Sequence, residues 1–176
     1  PWAEAHGAAF EPVALWRRAW YFPKPGEDMH AAVGRECRAA RASVGIFDAS
    51  TLGKIEVVGP DAVTFMERMY TNPWKKLAVG RCRYGLLLGE DGFIRDDGVI
   101  GRIGENRFHV TTTTGGAARV LGMMEDYLQT EWPDLQVWLA STTEEWATIA
   151  RQGPNARLLL APCVEGIGIS AEAFPH

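Results

Sequence analysis

The chain has 176 residues, of which 47% are apolar and 23% are charged. This composition is typical of a globular domain with an ordinary core and excludes a disordered chain. The formal net charge of -4 argues against a nucleic-acid partner, and no apolar stretch is as long as a membrane span. Cys37, Cys82 and Cys163 are far apart, so neither a disulfide framework nor a zinc site is indicated. We expect a cytoplasmic protein.

The first third of the chain contains an aromatic-rich opening, two predicted helices and a strand. We expect the aromatic segment around Trp16 and Trp20 to pack on another subunit or on a further part of the same protein. Residues 33–44 have helical apolar spacing, and residues 54–58 alternate as a strand does. Pro60 is expected in the first turn of a helix. The buried stripe of this helix is predicted to be Ala62, Phe65, Met66 and Met69.

The rest of the chain alternates predicted strands and helices. Two long strands after residue 80 are joined by a hairpin, which excludes an all-parallel, doubly wound sheet. We therefore predict an α+β fold with a mostly antiparallel sheet and packed helices. The predicted domains are residues 1–47, aromatic-rich and helical, and residues 48–176. The predicted strands are 84–88, 93–103, 107–113, 137–142 and 146–150, and the predicted helices begin near 116 and 154.

Two adjacent carboxylates follow the turn of this hairpin. Asp91-Gly92 is a strong hairpin turn signal, and Asp96 and Asp97 lie on the strand after it. Because side chains alternate across a strand, at most one of the two acids can point into a pocket on a given face. A carboxylate in such a pocket stabilises a cationic centre or accepts a proton. By spacing alone, a solvated position beside the turn is the favoured interpretation for both acids.

Several segments, in order and over nearly the whole chain, resemble the alpha subunits of heterotetrameric sarcosine oxidases. The fold implied is that of a folate-binding, aminomethyltransferase-like domain similar to the glycine-cleavage T-protein. Since the chain begins at Pro1 without an initiator methionine, we expect it to be the N-terminal part of such a domain within a longer subunit. The matching segments are residues 48–56, 59–62, 70–72, 80–85, 90–98, 111–116, 129–135 and 153–154.

The resemblance also implies an activity. In this family a flavin subunit oxidises sarcosine to an imine, and tetrahydrofolate captures the one-carbon unit as 5,10-methylenetetrahydrofolate; without folate, water releases formaldehyde. The implied partners are the beta, gamma and delta subunits, and FAD, FMN and NAD are expected only in the full complex outside this chain. The sequence lacks a G-x-G-x-x-G motif, so we expect no NAD site here.

The same resemblance assigns candidate site residues. The family's key aspartate aligns with Asp97, and Asp96 is the alternative. Tyr84 matches a folate-contacting tyrosine of T-proteins, although its pattern also fits a core tyrosine. The remaining cofactor candidates are Leu52, where T-proteins have a methionine, and Thr113 and Thr114.

The threonine run also has a simpler interpretation. Thr114 lies where a strand runs into a helix, so it is expected to cap that helix, and backbone N–H groups there could also meet a folate. The four histidines, which lack metal-ligand spacing, give no reason to propose a metal. They are His6, His30, His109 and His176.

Two other functions compete with the oxidase. One is a stand-alone aminomethyltransferase of the glycine-cleavage type, and the other is a non-catalytic folate-binding scaffold. The threonine-glycine run at residues 111–116 and the segment 129–133 favour the oxidase subunit. The presence of Asp97 argues against a scaffold that has lost its chemistry.

Overall fold

The computed structural model describes residues 2–174, which form two compact units. The first unit combines the described residues up to Ala49 with those from Thr148 onward, and the second is Ser50–Ala147. The domains predicted from the sequence, residues 1–47 and 48–176, differ from these units in the assignment of the residues from Thr148 onward. The predicted division into domains remains a prediction. The terminal residues Pro1, Pro175 and His176 lie outside the described part of the chain.

The secondary structure contains five helices and nine strands within the described residues. Two short 3-10 turns, Trp74–Lys76 and Ala161–Cys163, complete it. No helix within residues 2–174 is long and apolar enough to cross a membrane. The helices are α1 (Trp2–Ala5), α2 (Met29–Ala42), α3 (Ala62–Met69), α4 (Ala117–Thr130) and α5 (Ala156–Leu160). The strands are β1 (Ala9–Val13), β2 (Trp16–Tyr21), β3 (Gly45–Asp48), β4 (Gly53–Val58), β5 (Arg81–Leu88), β6 (Ile94–Gly104), β7 (Arg107–Thr112), β8 (Trp138–Ser141) and β9 (Ile149–Gln152).

The first unit is built on two antiparallel ribbons and α2. β1 pairs with β2, and β3 pairs with β9. The side chain of Asp28 begins α2 by accepting a hydrogen bond from the Ala31 N–H at 2.8 Å, which satisfies one of the free donors of the first turn. Glu27 fixes the same end, since both of its oxygens accept from Arg35 at 2.8 Å.

The second unit contains a five-stranded antiparallel sheet in the order β5-β6-β7-β4-β8. The alternation of apolar residues along each strand gives the sheet one buried face, on which α3 and α4 pack. The predicted stripe of α3 is confirmed, because all four of its residues are buried. The buried apolar residues of this core are Ile55, Val57, Ala62, Phe65, Met66, Met69, Tyr70, Trp74, Leu77, Leu87, Ile100, Phe108, Val110, Val120, Met124 and Val137.

The opposite face of the same sheet, here called the open face, carries exposed apolar side chains. Tyr84 is 53% exposed, Val99 is 49% exposed and Trp138 is 63% exposed. All three alternate with strand residues that point into the core. The open face is therefore a surface of the second unit that the helices α3 and α4 leave uncovered.

The α+β prediction with a mostly antiparallel sheet is confirmed, since every strand pair is antiparallel. Two local predictions are wrong. The last strand runs from Ile149 to Gln152 and not over residues 146–150, because the chain turns at residues 143–145 and extends only from Ile149. Pro60 lies outside α3, which begins at Ala62.

Candidate functional site

A tight turn positions the two carboxylates on the β5–β6 hairpin. Gly92 adopts a φ of 78°, which favours glycine, and its N–H donates to the Gly89 carbonyl at 2.9 Å. The Asp91 side chain accepts from the Phe93 N–H at 3.1 Å and closes the turn. The Asp91-Gly92 turn predicted from the sequence is confirmed.

Asp96 and Asp97 lie on opposite faces of the sheet. Asp96 pairs with Leu87 on the buried face and is 4% exposed. Asp97 pairs with Leu86 on the open face and is partly exposed. The register of β5 with β6 therefore determines which acid a ligand on the open face would meet, and that acid is Asp97.

Tyr84 and Asp97 form a hydrogen-bonded pair on the open face. The Tyr84 hydroxyl donates to Asp97 Oδ2 at 2.5 Å. This hydrogen bond raises the pKa of the Tyr84 phenol above its usual value, and partial burial adds to the effect. The side-chain amide of Asn72 donates to the Tyr84 carbonyl oxygen and ties this point of β5 to the loop after α3. The pair presents a neutral phenol and an acceptor carboxylate side by side.

Asp96 is held entirely by the protein. Its Oδ1 accepts the N–H groups of Asp97 at 2.8 Å and of Thr113 at 2.9 Å, and its Oδ2 accepts the Thr113 hydroxyl at 2.8 Å. The guanidinium of Arg119 lies 4.0 Å from Oδ2. These contacts satisfy a buried charge that would otherwise be costly.

The other candidate residues lie where β7 ends and β4 begins, two strand ends that are paired through Gly53 and Thr112. Leu52 lies one residue before β4 and is half-buried. Thr114 is buried, and its hydroxyl lies 3.1 Å from that of Thr51. The expectation that Thr114 caps α4 is wrong: the Gly116 N–H donates instead to the Thr113 hydroxyl at 3.1 Å.

Lys54 was not predicted as part of the site, yet it fixes the loop that carries Leu52. Its ammonium is buried and donates to the carbonyl oxygens of Ser50 at 2.8 Å, Leu52 at 3.0 Å and Thr143 at 3.2 Å. A lysine in a β-strand normally indicates that its side of the strand is exposed to solvent. Nothing in the strand itself, Gly53–Val58, distinguishes Lys54 from a solvated lysine, since Glu56 shares its face.

His109 on β7 lies opposite Glu56 in the register with β4. It contacts Trp146 edge to face, with ring centroids 6.1 Å apart. Burial lowers the pKa of His109 below its usual value, and the charge of Lys54 lowers it further. The imidazole is therefore neutral at pH 7.

A separate groove of about 410 Å³ lies beside the C-terminal end of α3. Tyr70, Tyr127 and Trp132 contribute aromatic rings to it, and Glu90 accepts a hydrogen bond from the Tyr127 hydroxyl at 2.9 Å. None of the residues predicted for the site lines this groove. The candidate site is the pair on the open face, and the groove is a distinct feature.

The geometry of the second unit agrees with comparisons to known proteins. The profile of the family described as the GCVT N-terminal domain matches residues 1–176. The chain belongs to the GCVT N-terminal domain family. The chain has the same fold as the glycine cleavage system aminomethyltransferase T from Bartonella henselae, seen in its crystal structure, and the two sequences are 30% identical. That superposition has a TM-score of 0.80 and covers 94% of this chain and 42% of the aminomethyltransferase.

Within the GCVT N-terminal domain family, the resemblance to sarcosine oxidase alpha subunits is confirmed. The chain is 55% identical over 173 residues to sarcosine oxidase subunit alpha of Corynebacterium sp. strain P-1, covering 98% of this chain. It is 49% identical over 175 residues to the same subunit of Rhizobium meliloti strain 1021, covering 99% of this chain. The chain spans 18% of the length of each of these relatives.

More distant members of the family are aminomethyltransferases. The chain is 34% identical over 141 residues to the aminomethyltransferase of Chloroherpeton thalassium, an alignment covering 80% of this chain and 38% of that protein. The two kinds of relative share the domain, so the domain alone does not distinguish their reactions.

Proposed function

We propose that this chain is the folate-binding part of a sarcosine oxidase alpha subunit. In that role it supports oxidative demethylation of sarcosine, with transfer of the one-carbon unit to tetrahydrofolate or its release as formaldehyde. The observation that carries the proposal is the Tyr84–Asp97 pair, with its 2.5 Å hydrogen bond, on an open face that also exposes Val99 and Trp138. The identity of 55% to a sarcosine oxidase subunit alpha supports the oxidase context.

The open face fits a flat heterocycle that carries N–H donors. Tyr84 and Val99 expose about half of their surface there, which provides apolar contact for a planar ring. The Asp97 carboxylate provides an acceptor for N–H groups at the edge of such a ring. Leu52 is proposed as a further apolar contact, and the segment Thr113-Thr114 as a source of backbone contacts. A pterin combines these two requirements, an apolar plane and polar edges.

Bound tetrahydrofolate would supply a nucleophilic amine that takes up the one-carbon unit to give 5,10-methylenetetrahydrofolate. The Asp97 carboxylate stabilises positive charge that develops next to it, most strongly where water is excluded. It also accepts the proton that a reacting amine loses. Tyr84 is a phenol that keeps its proton at pH 7, and its hydrogen bond holds Asp97 Oδ2 in one orientation.

The wider assembly is part of the same proposal. The beta, gamma and delta subunits of sarcosine oxidase are the proposed partners, and FAD, FMN and NAD belong to the full complex outside this chain. We place this complex in the cytoplasm.

A stand-alone aminomethyltransferase is the second candidate function. The identity of 34% to the Chloroherpeton thalassium enzyme and the TM-score of 0.80 to the Bartonella henselae structure support it. A non-catalytic folate-binding scaffold is the third candidate. In a scaffold the Asp97 carboxylate would only bind the ligand, so turnover separates this candidate from the first two.

Turnover by the intact protein, purified with the subunits that accompany it, separates these functions. The oxidase proposal predicts consumption of sarcosine, formaldehyde as product without tetrahydrofolate, and 5,10-methylenetetrahydrofolate in its presence. Turnover of an aminomethyl-carrier protein in place of sarcosine would establish the aminomethyltransferase. Folate binding with neither activity would establish the scaffold.

A further inference from the structure

Asp96 is a charged residue that the proposed chemistry does not use, although it lies next to Asp97. It is 4% exposed and points away from the open face. A carboxylate in such a position is costly unless its oxygens are satisfied, so the contacts that satisfy it indicate what it does. Within residues 2–174 it accepts three hydrogen bonds, and they come from two residues, Asp97 and Thr113.

The first of these hydrogen bonds fixes the backbone N–H group of Asp97. Asp96 Oδ1 accepts the Asp97 N–H at 2.8 Å, which holds the peptide plane between the two aspartates. The Asp97 side chain leaves from this plane toward Tyr84 on the other face. A change in the orientation of the plane therefore moves the Asp97 carboxylate relative to the Tyr84 hydroxyl.

The other two contacts fix the turn between β7 and α4. Thr113 donates both its N–H, at 2.9 Å, and its hydroxyl, at 2.8 Å, to Asp96. The Thr113 hydroxyl in turn accepts the Gly116 N–H at 3.1 Å. One carboxylate thus connects Asp97 to the threonine turn at the end of the neighbouring strand.

The Asp96 carboxylate has little freedom to move. A Cβ atom at Gly116 would lie 1.7 Å from Asp96 Oδ2, so the close approach of the two residues requires a glycine there. Gly116 confines the carboxylate on one side. The groups that are hydrogen-bonded to the carboxylate are therefore held in fixed positions relative to one another.

We propose that Asp96 is a positioning residue, which aims the Asp97 carboxylate at the open face and holds the Thr113 turn in register with it. This inference rests on the proposed function only for the identity of the ligand that meets Asp97. Asp96 itself lies on the buried face, away from a ligand on the open face. The alternative is that Asp96 contributes to stability alone, and the experiment must separate the two.

The experiment uses the intact protein and the variants Asp96→Ala and Asp96→Asn. Asp61→Ala is the matched control, because its Oδ2 accepts one backbone N–H, that of Gln136 at 2.9 Å, elsewhere in the same unit. A fluorinated tyrosine inserted at position 84 reports the titration of that phenol through its 19F signal. Asp97→Asn in the same background gives the titration expected when the carboxylate is lost altogether.

If Asp96 positions Asp97, the Tyr84 titration moves to lower pH in Asp96→Ala, toward the value in Asp97→Asn, because the hydrogen bond that raises its pKa is weakened. It stays at the wild-type value in Asp61→Ala. Asp96→Asn keeps one acceptor oxygen and shifts the titration less. If Asp96→Ala does not fold, Asp96→Asn and Thr113→Val, which removes one donor to Asp96, provide the same comparison.

Kinetics provide the second measurement. Mispositioning by about 1 Å lowers kcat for folate-dependent product formation by roughly 10- to 100-fold. An unchanged Tyr84 titration in folded Asp96 variants overturns the proposal, even if their melting temperature falls. If the wild-type protein forms no 5,10-methylenetetrahydrofolate, the proposed function fails, whereas the titration still decides the role of Asp96.

Discussion

The side chains of Tyr84 and Asp97 meet across neighbouring antiparallel strands, with the Tyr84 hydroxyl 2.5 Å from Asp97 Oδ2. They are diagonal neighbours, since the direct partner of Tyr84 in the register is Val99 and that of Asp97 is Leu86. Diagonal pairs on one face of a sheet lie within reach of long side chains such as tyrosine. The hairpin thus brings an aromatic ring and a carboxylate together on the open face.

Replacing the carboxylate with its amide tests the central charge of the site. Asp97→Asn should lower the rate of 5,10-methylenetetrahydrofolate formation about 100-fold, because one electrostatic stabiliser is removed. Oxidation of sarcosine should continue, which is measured as flavin reduction in the intact complex. Asp126→Asn, an exposed aspartate on α4, is the control and should behave as the wild type. Equal rates in Asp97→Asn and the control would remove Asp97 from the mechanism.

The phenol contributes orientation, so its loss should have a smaller effect. Tyr84→Phe keeps the apolar ring and removes the hydrogen bond to Asp97. Because Tyr84 is 53% exposed, water competes for this hydrogen bond and its contribution is modest. We expect folate-dependent turnover to fall by about threefold to tenfold, measured with saturating sarcosine. A loss as large as that in Asp97→Asn would mean that the phenol itself takes part in the chemistry.

The fold could be predicted where a local pattern determines the structure. The stripe of α3 and the Asp91-Gly92 hairpin follow from helical spacing and turn chemistry. The β1–β2 hairpin could not be predicted in this way. Its two-residue turn is Ala14-Leu15, in which Ala14 adopts a φ of 51° without any glycine or asparagine to signal it.

The site could be predicted only in part for a related reason. The sequence indicates that Asp96 and Asp97 point to opposite faces of the sheet, but which of them lies on the buried face depends on the register of β5 with β6. The burial of Lys54 depends on Thr143, which is 89 positions away. Such contacts between distant residues leave no periodic signal in the chain.

Lys54 should contribute to the stability of the second unit. Lys54→Met keeps the apolar stem and removes a donor from three carbonyl oxygens, including that of Leu52. Leaving buried acceptors without a donor costs about 2–3 kcal/mol in the free energy of unfolding. The melting temperature of the intact protein measures this loss of stability. The control is Lys75→Met, which replaces an exposed lysine. If both variants melt together with the wild type, the carbonyl contacts of Lys54 do not stabilise the loop.

Phe65 tests the core on which the open face depends. It is fully buried on α3 and packs edge to face on Trp132, with ring centroids 5.9 Å apart. Phe65→Ala should lower the free energy of unfolding by about 3–5 kcal/mol, because it leaves a cavity as well as losing apolar contact. Phe93→Ala, at a position 72% exposed, should change it little. Chemical denaturation followed by tryptophan fluorescence compares the two variants.

Glu27 makes the first unit sensitive to acid. Hydrogen bonds from Arg35 and from the Lys24 N–H lower the pKa of Glu27 from 4.5 to about 2. The unfolded chain therefore binds more protons than the folded chain between these values, and the contribution of Glu27 to stability is present above pH 4.5 and lost as the pH falls toward 2. Glu27→Gln should melt below the wild type at pH 7, and the difference should close as the pH approaches 2.

The control for this prediction is Glu4→Gln, which breaks an exposed ion pair with Arg17 at 3.5 Å. Exposed pairs of this kind contribute little, so its melting temperature should follow the wild type at every pH. The measurement is thermal unfolding of the intact protein from pH 3 to pH 7, with circular dichroism as the readout. A constant difference between Glu27→Gln and the wild type over this range would show that Glu27 has an ordinary pKa, and that Arg35 anchors α2 without its charge.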